Sequence, residues 1–91
     1  LPTLEQLKLF LTNEGLDPYE ESLTSGSKVN DHKHPFCEVR YVSKGEMQFN
    51  ISGNRFVLRE GDKVEIPANT KHSFIIPEHS DCICACAQRA I

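Results

Sequence analysis

The chain has 91 residues, 38% hydrophobic and 25% charged, which makes one ordinary globular domain with no room for a second core. Its formal charge is −3, with 10 Lys and Arg against 13 Asp and Glu and no basic stripe, which argues against a nucleic-acid partner. No apolar run approaches the roughly 20 residues of a membrane span, and no basic segment leading into an apolar one opens the chain, so neither a membrane contact nor a signal peptide is expected.

In chain order, Leu1 to Asn13 reads as a short helix. Pro2 suits a helix entrance, where its missing N–H costs nothing. Thr3 and Gln6 form a capping-box pattern, each side chain serving a backbone N–H that the first turn leaves without a partner. Leu4, Leu7 and Leu11 share one face, with Phe10 beside them. Gly15 is the expected stop, and Pro18 follows shortly after. A helix this short does not hold in water alone, so it must lie on the body of the domain or on a second chain.

From Tyr19 onward, short apolar runs are broken by Gly, Pro, Asn and Asp. Val39, Tyr41 and Val42 lead to a turn at Ser43-Lys44-Gly45. Met47, Phe49 and Ile51 alternate with Glu46, Gln48 and Asn50 at a period of two. Ser52-Gly53-Asn54 is a hairpin turn before Phe56, Val57 and Leu58. Glu60-Gly61-Asp62 turns again, and Val64 and Ile66 lead into Pro67. Phe74 to Ile76 and the run from Cys82 to Ala87 close the series. About seven short strands at this spacing predict an all-β sandwich or barrel.

Cys82, Cys84 and Cys86 alternate with Ile83, Ala85 and Ala87, so the thiols share one face of the last strand. Residues two apart on a strand lie about 6.6 Å apart along its axis. A disulfide brings its Cβ atoms to about 3.5–4.5 Å, so neighbours in this run are not expected to bridge. Only Cys37 could reach across to one of them. The expectation is four reduced thiols in a cytoplasmic protein, the three in the strand serving as small apolar filler.

Chemistry concentrates in the histidines. His32 and His34, two apart on a strand, point to one face. Glu38 follows across a turn opened by Pro35, and His72 lies far along the chain after the turn at Pro67. Imidazole nitrogen and carboxylate oxygen suit divalent iron, manganese, nickel, copper or zinc. Arg40, two residues beyond Glu38, shares its face if the strand is regular. Its fork then either meets a ligand carboxylate or pairs with Glu46 or Glu65. Met47 and Phe49 are core positions that could also line a pocket, whereas Tyr41 points the other way, under the helix.

These spacings carry a family resemblance. Gly26, five residues, His32, one residue, His34, three residues, Glu38, six residues and Gly45 fill every fixed position of the first conserved motif of the cupin superfamily, which the chain resembles. Gly61, five residues, Pro67 and then His72 are similar to the second motif, fifteen residues further on. Asn69 stands where that motif usually has Gly, at a position expected to need a left-handed backbone that Asn tolerates. Ile76 stands where the motif often ends in Asn, which weakens any transfer of a particular substrate contact.

The resemblance implies a jelly-roll antiparallel β-barrel over residues 19–91, with residues 1–18 as a helical extension. It implies one divalent transition metal held by His32, His34, Glu38 and His72, with Arg40, Met47 and Phe49 as candidate substrate contacts. Dipositive metal and one carboxylate together favour a small anionic or chelating ligand. The function implied is a metalloenzyme of dioxygenase, isomerase or lyase type. The other reading is a non-catalytic domain that binds or senses a small ligand in the same barrel. A homodimer is expected, because the domain is small, its helix needs cover and cupin barrels commonly pair. No residue pattern selects a substrate.

Overall fold

The computed structural model describes residues 1–90. One helix, α1 (Leu4–Asn13), precedes eight strands: β1 (Tyr19–Leu23), β2 (Lys28–His32), β3 (Cys37–Lys44), β4 (Met47–Ile51), β5 (Asn54–Leu58), β6 (Lys63–Ile66), β7 (His72–Ile75) and β8 (Cys82–Arg89). The strands form two four-stranded antiparallel sheets, ordered β1-β8-β3-β6 and β2-β7-β4-β5. Of the consecutive strand pairs, β4 and β5 alone stay in one sheet; every other connection carries the chain across to the opposite one. Their hairpin turns at Ser52 and Gly53, both with positive φ, the type I′ geometry that matches strand twist.

The sheets face each other without joining into one ladder, so the closed barrel expected from sequence is instead an open two-sheet sandwich. The crossing connections explain this: turns between layers leave the edge strands of one sheet without hydrogen-bonded neighbours in the other. One strand was also absent from the sequence reading. β1 reads Tyr-Glu-Glu-Ser-Leu with mostly exposed side chains, because it is an edge strand held by backbone pairing to β8.

Between the sheets, Met47, Phe49, Leu58 and Phe74 meet Val42, Ile66, Cys82, Cys84 and Cys86. On the outer side, α1 lays Leu7 and Leu11 on Val39, Ala85 and Ala87. β8 is therefore covered on both faces, thiols inward and alanines under the helix, where small side chains let the helix approach. Each buried leucine contributes about 1.5–3 kcal/mol by leaving water. The capping box forms as the sequence requires: Thr3 N–H donates to Gln6 Oε1 at 2.8 Å and Gln6 N–H to Thr3 Oγ1 at 3.2 Å. Gly15 ends the helix at φ 81°. Beyond that end, Glu14 accepts from Arg89 at 2.8 Å and from Lys63 at 3.4 Å, tying the helix to the sheet. Tyr41 lies beneath the helix as expected, edge-on to Phe10 with 6.0 Å between ring centroids. The helix thus covers its own sheet, and Leu7 and Leu11 need no second copy.

All four cysteines are free thiols. The sulfurs of Cys82 and Cys84 lie 3.7 Å apart, nearer than the spacing along the strand suggested, because side chains lean along a strand as well as away from it. Hydrogen bonding to Cys84 and burial both push the Cys82 and Cys86 thiols above their ordinary pKa, which keeps them protonated. Gly45 marks a close approach of two turns. Its φ is 81°, and a Cβ there would run into the carbonyl of Asp81, so no other residue fits without moving the start of β8.

Candidate metal centre

The candidate residues come from both sheets and meet at one end of the sandwich. His32 ends β2 and stands opposite His72, the first residue of β7, across an irregular stretch of ladder between Val29 and His32. His34 lies beyond the end of β2 rather than on a strand, as the sequence had suggested. Its backbone is fixed instead by the β6–β7 loop, where Asn69 N–H donates to the His34 carbonyl at 2.6 Å. Asn69 sits at φ 59°, the left-handed conformation expected for it, so the departure from glycine costs the motif little. Phe36 stacks on the His34 ring with 4.9 Å between centroids. Glu38, on β3 of the other sheet, stands beside His34 and His72 and is not part of the three-histidine cluster.

The three imidazoles each offer a ring nitrogen within 4.8 Å of the others. Glu38 Oε1 lies 3.4 Å from His34 Nε2 and 3.8 Å from His72 Nε2. Two of the tautomers follow from backbone contacts. His72 Nδ1 is 2.8 Å from the Thr70 carbonyl, and His32 Nδ1 is 2.9 Å from the Asn30 carbonyl. A carbonyl only accepts, so each Nδ1 carries a proton, and Nε2 is the nitrogen left to offer a lone pair to an ion. This is the arrangement in which a backbone acceptor orients a metal-binding histidine.

His72 is 2% exposed, and its Nε2 has no hydrogen-bond partner among the described residues. An orphaned buried polar atom of this kind costs about 1–3 kcal/mol. The His72 lone pair and the Glu38 Oε1 lone pairs converge, which is favourable only with a cation or a proton between them. His34 stands at the more open side of the group. Burial lowers its pKa below the ordinary histidine value, with Glu38 opposing and His32 and His72 assisting, so the neutral ring is favoured at pH 7. Three imidazoles close enough to share one ion, with a carboxylate beside two of them, are a donor set of the kind that suits a divalent transition metal.

Behind Glu38 the structure buries Arg40, 4% exposed. Its partners are neither Glu46 nor Glu65, as weighed from sequence, but Glu38 and Glu21. Nε donates to Glu38 Oε2 at 3.0 Å, and Nη1 touches Glu21 Oε1 at 2.6 Å without the angle of a hydrogen bond. Glu21 escaped the sequence reading because it sits on β1, the strand without an apolar pattern. Burial acts to lower the Arg40 pKa, but the Glu38 and Glu21 carboxylates raise it above the ordinary value, and the group stays charged. Met47 and Phe49 are packed core: Cys84 meets the Met47 sulfur at 3.6 Å, and Phe49 lies between Phe56 and Phe74. A separate groove of about 450 Å³ opens along β5, β4 and β7, and Phe49 lines it together with Gln48, Asn50, Arg55, Phe56 and Phe74. None of the three imidazoles or Glu38 lines it.

A family model for the cupin domain matches residues 19–87. Over 55 residues the chain is 34% identical to quercetin 2,3-dioxygenase of Bacillus subtilis (strain 168), covering 59% of this chain and 16% of that protein. The chain thus spans a small part of that relative's length. The fold resembles DMSP lyase DddQ from Ruegeria pomeroyi DSS-3 with a TM-score of 0.74 at 24% identity, over 82% of this chain and 38% of the lyase. It also resembles a candidate mannose-6-phosphate isomerase from Ralstonia eutropha JMP134 with a TM-score of 0.75 at 18% identity, over 86% of this chain and 77% of that one. Both structural likenesses concern the fold. No helix among the described residues is long and apolar enough to cross a membrane.

Proposed function

The chain belongs to the cupin family, and from that premise we propose that His32, His34, Glu38 and His72 hold one divalent transition metal (Fe, Mn, Ni, Zn or Cu) that handles a small anionic or chelating molecule. The observation that carries the proposal is the orphaned Nε2 of His72, buried and facing Glu38 Oε1. Bound there, such a metal supplies Lewis acidity or a binding position for a chelated substrate or dioxygen. The chain's own residues do the rest. The Thr70 and Asn30 carbonyls hold His72 and His32 in the ligating tautomer. Asn69 pins the loop that carries His34. Glu38 offsets one of the two positive charges, leaving a net positive site for an anionic ligand. Met47 and Phe49 are buried in the core between the sheets.

The reaction class we propose is dioxygenase, isomerase or lyase type, by kinship with relatives of those names. The metal is tested first. Protein prepared without a histidine tag is loaded with each candidate ion, and retention is measured after dialysis. Replacing His34 or His72 by Ala should cut retention at least about tenfold, since the loss of one ligand exceeds the 1.4 kcal/mol of that factor. A double variant that keeps metal as well as the wild type overturns the proposal. Dioxygen uptake and isomerisation assays on loaded protein then separate enzyme from binding domain, and metal-loaded protein inert in all of them supports the non-catalytic reading. We also propose that residues 19–91 form the functional domain in a cytoplasmic homodimer; light scattering at micromolar concentration should give twice the chain mass of 10.3 kDa.

A further inference from the structure

Three polar or charged side chains are buried among the described residues: Glu38, His72 and Arg40. The first two belong to the ligand group, and the third has no part in it so far. Arg40 sits between two carboxylates. Glu38 Oε2 takes its Nε hydrogen at 3.0 Å, and Glu21 Oε1 lies against Nη1 at 2.6 Å. The Phe74 ring lies 6.0 Å from its Cζ, closing another side.

We propose that Arg40 is a positioning residue for the Glu38 carboxylate, and that Glu21 is its counterion. The inference rests on the four-ligand reading and adds two residues to it. The terminal torsion of a glutamate is broad and roughly two-fold, so its two oxygens are interchangeable unless something tells them apart. Arg40 does so. It occupies Oε2 and leaves Oε1 as the oxygen turned toward His34 and His72.

The charge logic explains Glu21. An arginine paired with Glu38 alone would cancel the charge that makes the carboxylate a good ligand. Glu21, reaching in from the edge strand β1, neutralises Arg40 from the far side. Glu38 keeps its orientation from the arginine and its full negative charge toward the imidazoles.

The test uses Co(II), whose visible absorption reports its ligand field, with affinity measured by chelator competition. Wild type and Arg40→Met, Arg40→Lys and Glu21→Gln variants are compared. Arg40→Met should bind Co(II) about tenfold or more weakly and with a changed spectrum, because Oε1 and Oε2 become equivalent. Arg40→Lys should restore part of the affinity and keep a shifted spectrum, since an ammonium lacks the planar fork. Glu21→Gln should weaken binding severalfold with an unchanged spectrum, since the donor set is untouched and only the field is altered. Wild-type affinity and spectrum in Arg40→Met overturn the inference while leaving the metal reading intact. Should Arg40→Met fail to fold, a wild-type spectrum in Arg40→Lys together with wild-type affinity in Glu21→Gln overturns it. A wild type that takes up no Co(II) overturns both readings.

Discussion

His72→Leu separates a histidine kept for a ligand from one kept for the fold. In the metal-free protein His72 makes one hydrogen bond, Nδ1–H to Thr70 O, and leaves Nε2 buried without a partner. Leucine forfeits the bond, worth about 1 kcal/mol, and removes an orphaned atom that costs about 1–3 kcal/mol. The two terms nearly cancel or favour leucine, so under a strong chelator the variant should be as stable as the wild type, or up to about 2 kcal/mol more stable. With free metal at one hundred times its dissociation constant the wild type gains about 2.7 kcal/mol, and the variant should gain little. The order of stabilities should therefore reverse between chelator and metal. Urea unfolding followed by far-UV circular dichroism reads both conditions; the chain has no tryptophan to report by fluorescence. A variant more than about 2 kcal/mol below the wild type under chelator would show that His72 is a structural residue, and the orphan argument would fall.

Two further outcomes follow from the helix. Leu11→Ala opens a cavity between α1 and the alanines of β8, and should cost about 3 kcal/mol in urea unfolding with or without metal. Glu14→Gln tests the clamp at the end of α1. The hydrogen bond from Arg89, assisted by Lys63 and opposed by burial, lowers the folded pKa of Glu14 below its ordinary 4.5. A depressed carboxylate pKa contributes stability that is complete above the unfolded value and is lost as pH falls through the folded one. The variant should be weaker than the wild type at pH 7 by about 0.5 kcal/mol, the modest worth of an exposed pair, and the gap should close as pH falls below the ordinary 4.5 and through the lowered folded value. A gap that persists there would mean that packing, not charge, carries the effect.

Local chemistry and periodicity made much of this molecule legible. The capping box at Thr3, the hairpin at Ser52-Gly53 and the alternation in β4 each follow from a few neighbouring residues, and each is present in the structure. The left-handed Asn69 was legible for the same reason. What stayed hidden depended on partners distant in sequence. β1 is a strand because β8 lies beside it, not because Tyr19 to Leu23 alternate. The choice of Glu21 over Glu46 or Glu65 as the Arg40 partner is a fact of strand order, since β1 and β3 both flank β8. His34 off the strand and the close sulfurs of Cys82 and Cys84 are details of side-chain direction that a two-residue period does not resolve.

The open sandwich gives the proposed ligand set a mechanical meaning. His32 and His72 belong to one sheet and Glu38 to the other, and no ladder joins the two. At this end, contact between the layers rests on polar groups that repel or go unpaired without a cation, whereas apolar packing fills the middle. A metal held across that seam would stitch the sheets where the backbone does not. Its binding free energy would then appear as stability of the whole domain, because the unfolded chain holds no such arrangement. A short chain buries a smaller share of its surface than a long one, so a ligand clip gains in importance as the core shrinks. The orphaned His72 and the irregular β2–β7 ladder lie together at this end, where no ladder joins the two sheets and a bound ion would link them.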